Sequence, residues 1–289
     1  MSARPDVSIV VVSHDMAREL PRTLISLSPP FQRAPDGLAW EIVVVDNGSG
    51  PAPTREALPE GLAPLTLIHC PDPTPSPVPA VNLGLSLAKA ELIGVFIDGA
   101  RMASPGLVSA ALAASRLHPR PVIASLNRQL GPALQRISTL DGYDQAAEDA
   151  LLEGIGWPSA GYRLFEISAQ EASGPTAPLL ESNGLFLPSA LWRELGGYDE
   201  GFTSPGGGVV NPDAFVRACG LPDVQLVRLL GEATFHQFHG GLTTSSQVQA
   251  AEVLKAASRE YLRLRGKPLA PIREVGWLYD ARTGEVVGG

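Results

Sequence analysis

The sequence has little cysteine, a deficit of positive charge and no long apolar run. Its two cysteines, Cys70 and Cys219, lie far apart and carry no metal-type spacing, which suits a reducing, cytoplasmic setting. Lysine and arginine number 22 against 30 acidic residues, for a net charge of −8, and this argues against a general nucleic-acid binder, whose phosphate contacts need a basic face. A small diphosphate is not excluded, because one metal ion or a few local donors suffice to hold it. The first apolar run, residues 7–12, is too short for a signal-peptide core or a membrane span, and no later run reaches spanning length. No integral membrane segment is expected; a peripheral place at a membrane stays open. What is present is a globular composition, 44% hydrophobic and 18% charged over 289 residues, enough to bury one large α/β core or two small ones.

The pattern of elements is regular in the first half. Val-Ser-Ile-Val-Val-Val at 7–12 predicts a strand buried on both faces. Leu20, Leu24 and Leu27 recur at helical spacing after the turn residues Ser13-His14-Asp15, giving a helix over 16–27. Strands follow at 40–46 and 65–69, then a loop at 71–79 that carries five prolines. A helix over 81–90, a strand over 92–97, a helix over 105–117 and a strand over 121–126 complete the alternation. The fold class is therefore α/β with a mostly parallel sheet, and its chemistry belongs at the carboxyl ends of the strands. Asp46 and Asp98 both stand at such ends. The second half predicts a helix over 141–155, strands near 162–167 and 183–187, a helix over 189–195, and a helix over 212–219 capped by Asn211. A strand over 224–230 and an amphipathic helix over 247–265 follow.

Four blocks carry a resemblance. The strand at 7–12 with its helix is the first, and Val43-Val-Val-Asp-Asn-Gly-Ser49 the second. The third is Asn82-Leu-Gly-Leu-Ser-Leu-Ala-Lys-Ala90 before Gly94-Val-Phe-Ile-Asp98, and the fourth is Leu195-Gly-Gly-Tyr-Asp-Glu-Gly-Phe202. In that order and spacing they resemble glycosyltransferase family 2, over most of residues 7–240. The resemblance implies a GT-A fold, with a Rossmann-like nucleotide-binding half at 7–126 and an acceptor half at 127–245. Residues 246–289 would form a carboxyl-terminal helix and tail. It also implies transfer of a sugar from a nucleoside diphosphate sugar to a hydroxyl, usually with inversion, in glycan or polysaccharide synthesis of the bacterial type.

The implied site follows residue by residue. Ser13, Asp46, Asn82, Asp98, Arg101 and Asn211 fall at donor-binding positions. Asp46 matches the carboxylate that accepts from the donor base; a turn-forming Asp before Asn-Gly-Ser is the plain alternative. Asp98 matches the first residue of the family's Asp-x-Asp element, but here the element reads Asp98-Gly99-Ala100-Arg101, without the second carboxylate. Arg101 either supplies positive charge to the diphosphate directly or is a surface residue near a helix start. The family's general base falls on Asn211, and an amide takes no proton at neutral pH, so Asp213, Glu181 or Asp199 would have to serve, Asp199 being rather a turn residue. His236 and His239, three apart beside Gly240 and Gly241, are candidate metal ligands with Asp98, for Mn or Mg. The acceptor stays open among a glycan, a lipid-linked molecule and a small molecule, and an oligomer is compatible. Two rivals remain: a GT-A domain without catalysis that binds a nucleotide sugar, a glycan or a protein, and a nucleotidyltransferase. The latter lacks a basic triphosphate loop near the first strand.

Overall fold

The computed structural model describes residues 4–171, 174–239 and 247–288. Its strands are β1 (Val7–Ser13), β2 (Trp40–Asp46), β3 (Leu65–His69), β4 (Leu92–Phe96), β5 (Arg101–Ala103), β6 (Pro121–Leu130), β7 (Ser168–Gln170), β8 (Leu185–Pro188), β9 (Gln225–His236), β10 (Trp277–Asp280) and β11 (Glu285–Val286). The helices are α1 (Glu19–Ser26), α2 (Val78–Leu87), α3 (Leu107–Ser115), α4 (Gln135–Ser138), α5 (Gln145–Gly154), α6 (Ser189–Leu195), α7 (Val210–Cys219) and α8 (Gln247–Arg265). All the strands join one sheet in the order β11-β10-β9-β6-β8-β4-β1-β2-β3, with β5 added to β9 and β7 to β6.

The β-branched runs explain the centre of the sheet. Side chains of a strand alternate between faces, so Val10 and Val12 enter one core with Val43, Val45, Ile93 and Val95, under α2, α6 and α7. Ile9 and Val11 enter the other with Ile42 and Val44, under α1 and α3. β1 pairs in parallel with β2 and β4, which is the expected buried parallel arrangement. β8 runs antiparallel between β4 and β6, so the sheet is mixed there.

Several boundaries differ from expectation. β9 does not stop at residue 230 but passes through a bulge at Gly231, whose φ of 84° suits glycine, and runs on to His236. The strand expected near 162–167 is a 3-10 turn, Gly161–Phe165. Tyr162 and Phe165 stack at 6.5 Å, and the Phe165 ring meets Phe235 edge-on, so both rings face one side, which a strand's alternation forbids. Asn211 lies inside α7 and caps nothing, because its amide is drawn inward to other partners. Beyond α8, the segment expected as a tail adds two strands, β10 pairing in parallel with β9. Among the described residues no helix is long and apolar enough to cross a membrane.

Candidate active site

The carboxyl edge of the sheet gathers the site. Asp46 pairs with Ser13 at the end of the β1–β2 ladder. Val11 pairs with Phe96 on the other side of β1, and Asp98 follows two residues later on the same edge. Gly99 allows the turn there to close on β1: a Cβ at that position would stand 3.0 Å from the Val12 carbonyl oxygen and 3.3 Å from the Ser13 Cβ. The turn is further held by the Thr23 hydroxyl, which donates to the Gly99 carbonyl at 2.6 Å, and by the Ala100 N–H, which donates to Asp98 Oδ1 at 2.9 Å.

That turn aims Asp98 Oδ2 at two imidazoles. His236 Nε2 stands 3.1 Å away and His239 Nε2 3.6 Å away, and the two ring nitrogens are 3.1 Å apart. All three ligand atoms fall within 4.8 Å of one another, while Gly240 and Gly241 lie outside the described residues. The continuation of β9 past Gly231 is what delivers His236, opposite Arg101 on β5 and Gln129 on β6.

The surroundings set the state of each group. Gln135 Nε2 donates to the His236 carbonyl at 3.0 Å, which leaves its Oε1 as the acceptor for His236 Nδ1 at 2.8 Å. Gln135 thereby fixes the orientation of the ring, with Nε2 turned to Asp98, as the outer hydrogen bond of a metal-bound histidine would. Burial opposes ionisation of Asp98, yet the two imidazoles hold its carboxyl well below the usual carboxylate range. Burial, then the positive charge of Arg101, depresses His236. Burial acts on His239 in the same sense, but Asp98 outweighs it and raises that imidazole.

Arg101 is the unsatisfied member. Its Nε is 3.9 Å from Asp98 Oδ2, and neither Nε nor Nη1 has a hydrogen-bond partner among the described residues, although both are buried. A nitrogen-and-oxygen donor set fits a divalent ion, and an orphaned guanidinium beside it fits an anion spanning the two. The residues present therefore fit a metal diphosphate.

The other candidates separate by geometry. Asp46 is buried and closes its own turn, accepting from the Ser49 hydroxyl and N–H, with His69 Nδ1 at 3.4 Å. Asn82 spends both ends of its amide on the Tyr198 backbone, at 2.9 Å each, and so ties α2 to that turn. Asp213 is fully buried, held by Arg217 at 2.7 Å and by Arg265 at 2.6 Å, and anchors α7 rather than offering a base. Asp199 accepts from the Gly201 N–H and pairs with Arg265 at 2.7 Å, as a turn residue. Glu181 is different: Asn211 Nδ2 donates to it at 2.8 Å, while the Tyr198 hydroxyl donates to Asn211 Oδ1 at 2.9 Å. Burial first and the Glu171 charge second raise the Glu181 carboxyl, against the pull of Arg101 and Asn211.

Sequence reasoning missed Gln135, Glu171 and Gln129. Gln129 donates to Glu171 at 2.9 Å and accepts from the Gln135 N–H at 2.6 Å, linking the Glu171 carboxylate to the histidine pair. None of them stands in a motif; Gln129 on β6 gathers Gln135 from α4 and Glu171 from just beyond β7 by tertiary hydrogen bonds. A groove of about 660 Å³ lined by Arg4, Glu91, Arg116 and His118 opens at the opposite, amino-terminal edge of the sheet and contains none of this chemistry.

Comparison with known proteins bears on the family and the fold. Residues 8–115 match the family model described as Glycosyl transferase family 2, so the resemblance carried by the sequence blocks is borne out there. The fold is of the GT-A glycosyltransferase type. The mannosyltransferase PcManGT from Pyrobaculum calidifontis, in complex with GDP-Man and Mn2+, superposes with a TM-score of 0.52 at 16% identity, over 92% of this chain and 66% of that one. TarS 1-349 of S. aureus gives 0.50 at 15% identity, over 89% and 65%. Its complex with UDP-GlcNAc gives 0.50 at 16% identity, over 89% and 66%. The chain thus spans just under two thirds of these structures. No curated protein matches it in sequence.

Proposed function

We propose that the protein transfers a sugar from a nucleoside diphosphate sugar to a hydroxyl acceptor. The observation that carries this reading is the convergence of Asp98, His236 and His239 beside the partnerless Arg101 guanidinium. Neighbours of the same fold are complexed with GDP-Man and Mn2+ or with UDP-GlcNAc, which supports a donor of that class here. The 7–126 half would hold the nucleotide along the edge between Asp46 and Asp98, and the 127–245 half the acceptor.

Asp98, His236 and His239 would hold a divalent ion, Mn or Mg. Bound there, such an ion supplies Lewis-acid stabilisation to the departing diphosphate. Arg101 adds a fixed charge where negative charge develops, which is worth most in a site already closed to water. Glu181 is the base: its carboxylate is the one candidate not spent on a guanidinium, and Asn211 orients it. It would take the proton of the acceptor hydroxyl as that oxygen attacks the anomeric carbon, the arrangement an inverting displacement needs.

A second reading, a binding domain without turnover, draws on Asn211 at the family's base position and Ala100 in the Asp-x-Asp element. Calorimetric titration with UDP-, GDP- and dTDP-sugars in the presence of Mn2+ or Mg2+, followed by product analysis, separates the two. Binding with turnover is expected. Binding without turnover favours the second reading, and no heat with any nucleotide contradicts the transfer reaction and leaves of the second reading only a glycan- or protein-binding domain.

A further inference from the structure

α8 has two unlike sides. The inner side is built into the molecule: Ala257 and Tyr261 are 1% and 2% exposed. Glu260 accepts from the Thr203 N–H at 2.9 Å, and Arg265 pairs with Asp213 and Asp199. On the outer side, Lys255, Arg259 and Arg263 recur at intervals of four residues and form one row along the helix, all exposed. Leu254, Ser258 and Leu262 form the adjacent row, with the two leucines 52% and 50% exposed.

This face runs against the charge of the chain as a whole, which is −8. Lys255 has only an exposed Glu252 at 3.8 Å, a contact of little strength, and no carboxylate pairs with Arg259 or Arg263 among the described residues. Cations beside isolated leucines on one helix face match a charged plane with an apolar layer beneath it.

We propose that this face of α8 docks on an anionic lipid surface, the three cations against headgroups and Leu254 and Leu262 in the layer below. Each cation brought to such a surface strengthens partition about fivefold. Docking has a consequence for the cleft. α8 grips the 199–213 segment through Glu260 and Arg265, so that segment would be held close to the lipid. Taken with the proposed transfer reaction, and resting on it, this selects a lipid-linked acceptor.

The docking itself is tested without any turnover. The intact protein is sedimented with vesicles of phosphatidylcholine alone and of phosphatidylcholine mixed equally with phosphatidylglycerol. Binding to the anionic vesicles only, weakening with salt, is expected. Lys255→Gln, Arg259→Gln and Arg263→Gln should each reduce partition about fivefold, and Leu254→Ser with Leu262→Ser should reduce it further, all with unchanged Tm. Equal partition to both vesicles, partition to neither, or a triple glutamine variant that binds like the parent overturns the proposal. Failure of nucleotide binding would leave these outcomes untouched, and would count against the transfer reaction alone.

Discussion

The Glu148 carboxylate accepts the backbone N–H of Phe238 at 2.6 Å, directly beside His239. Arg18 completes the grip, donating to the Phe238 carbonyl at 3.2 Å and to Glu148 at 3.1 Å. The backbone between the two histidines is thus clamped by the residue preceding α1 and by α5, next to His239. Glu148→Ala should weaken Mn2+ binding about 10- to 100-fold, the usual cost of losing an outer partner. Titration of Mn2+ checks this; unchanged affinity would remove the clamp from the account.

Glu181→Gln should lower kcat by about 10²- to 10⁴-fold while leaving nucleoside diphosphate affinity intact. Steady-state kinetics and calorimetry on one preparation test both halves of that statement.

The pH profile carries a separate expectation. A base must be ionised to act, so kcat/KM should fall as pH drops through the Glu181 pKa. Burial and Glu171 place that limb above the ordinary glutamate range. Glu171→Gln removes one cause and should move the limb to lower pH. The same raised pKa acts on stability in the opposite sense. The folded state holds the proton more firmly than the unfolded one, so the contribution is full below the unfolded value and lost as pH rises through the folded one. Glu181→Gln should flatten stability across that window, as read by Tm against pH.

Asp213 gives a contrast. Asp213→Ala would strand Arg217 and Arg265 around a buried vacancy and should cost about 3–5 kcal/mol of stability. Denaturant melts should record the loss. Normal stability with lost transfer would return Asp213 to a catalytic role.

How far the site could be read in advance follows from where its information lies. β1, β2, β3 and β4 announce themselves through runs of apolar residues, and the edge positions of Asp46 and Asp98 follow from strand–helix alternation alone. The histidine pair was visible too, as two imidazoles three residues apart. Its meeting with Asp98 depends on β9 continuing through a bulge at Gly231, and a lone glycine in a strand pattern does not by itself tell a bulge from a stop. Gln135 and Glu171 act through side-chain hydrogen bonds between segments far apart in the chain, which one sequence does not display. Asn82 and Asp213 matched the family positions, yet their side chains are consumed by the Tyr198 backbone and by two arginines. Position in a motif does not reveal that a group is already paired.

The central proposal is that Asp98, His236 and His239 would hold a divalent ion beside the Arg101 guanidinium. Electron paramagnetic resonance of free Mn2+, recorded as the protein is added in the presence of GDP or UDP, tests it most directly. The free-ion signal should fall with the parent protein and persist with His236→Ala and His239→Ala, while Arg101→Met should abolish the nucleotide's enhancement of binding. An undiminished signal with the parent, or an equal fall with both histidine variants, would contradict the claim.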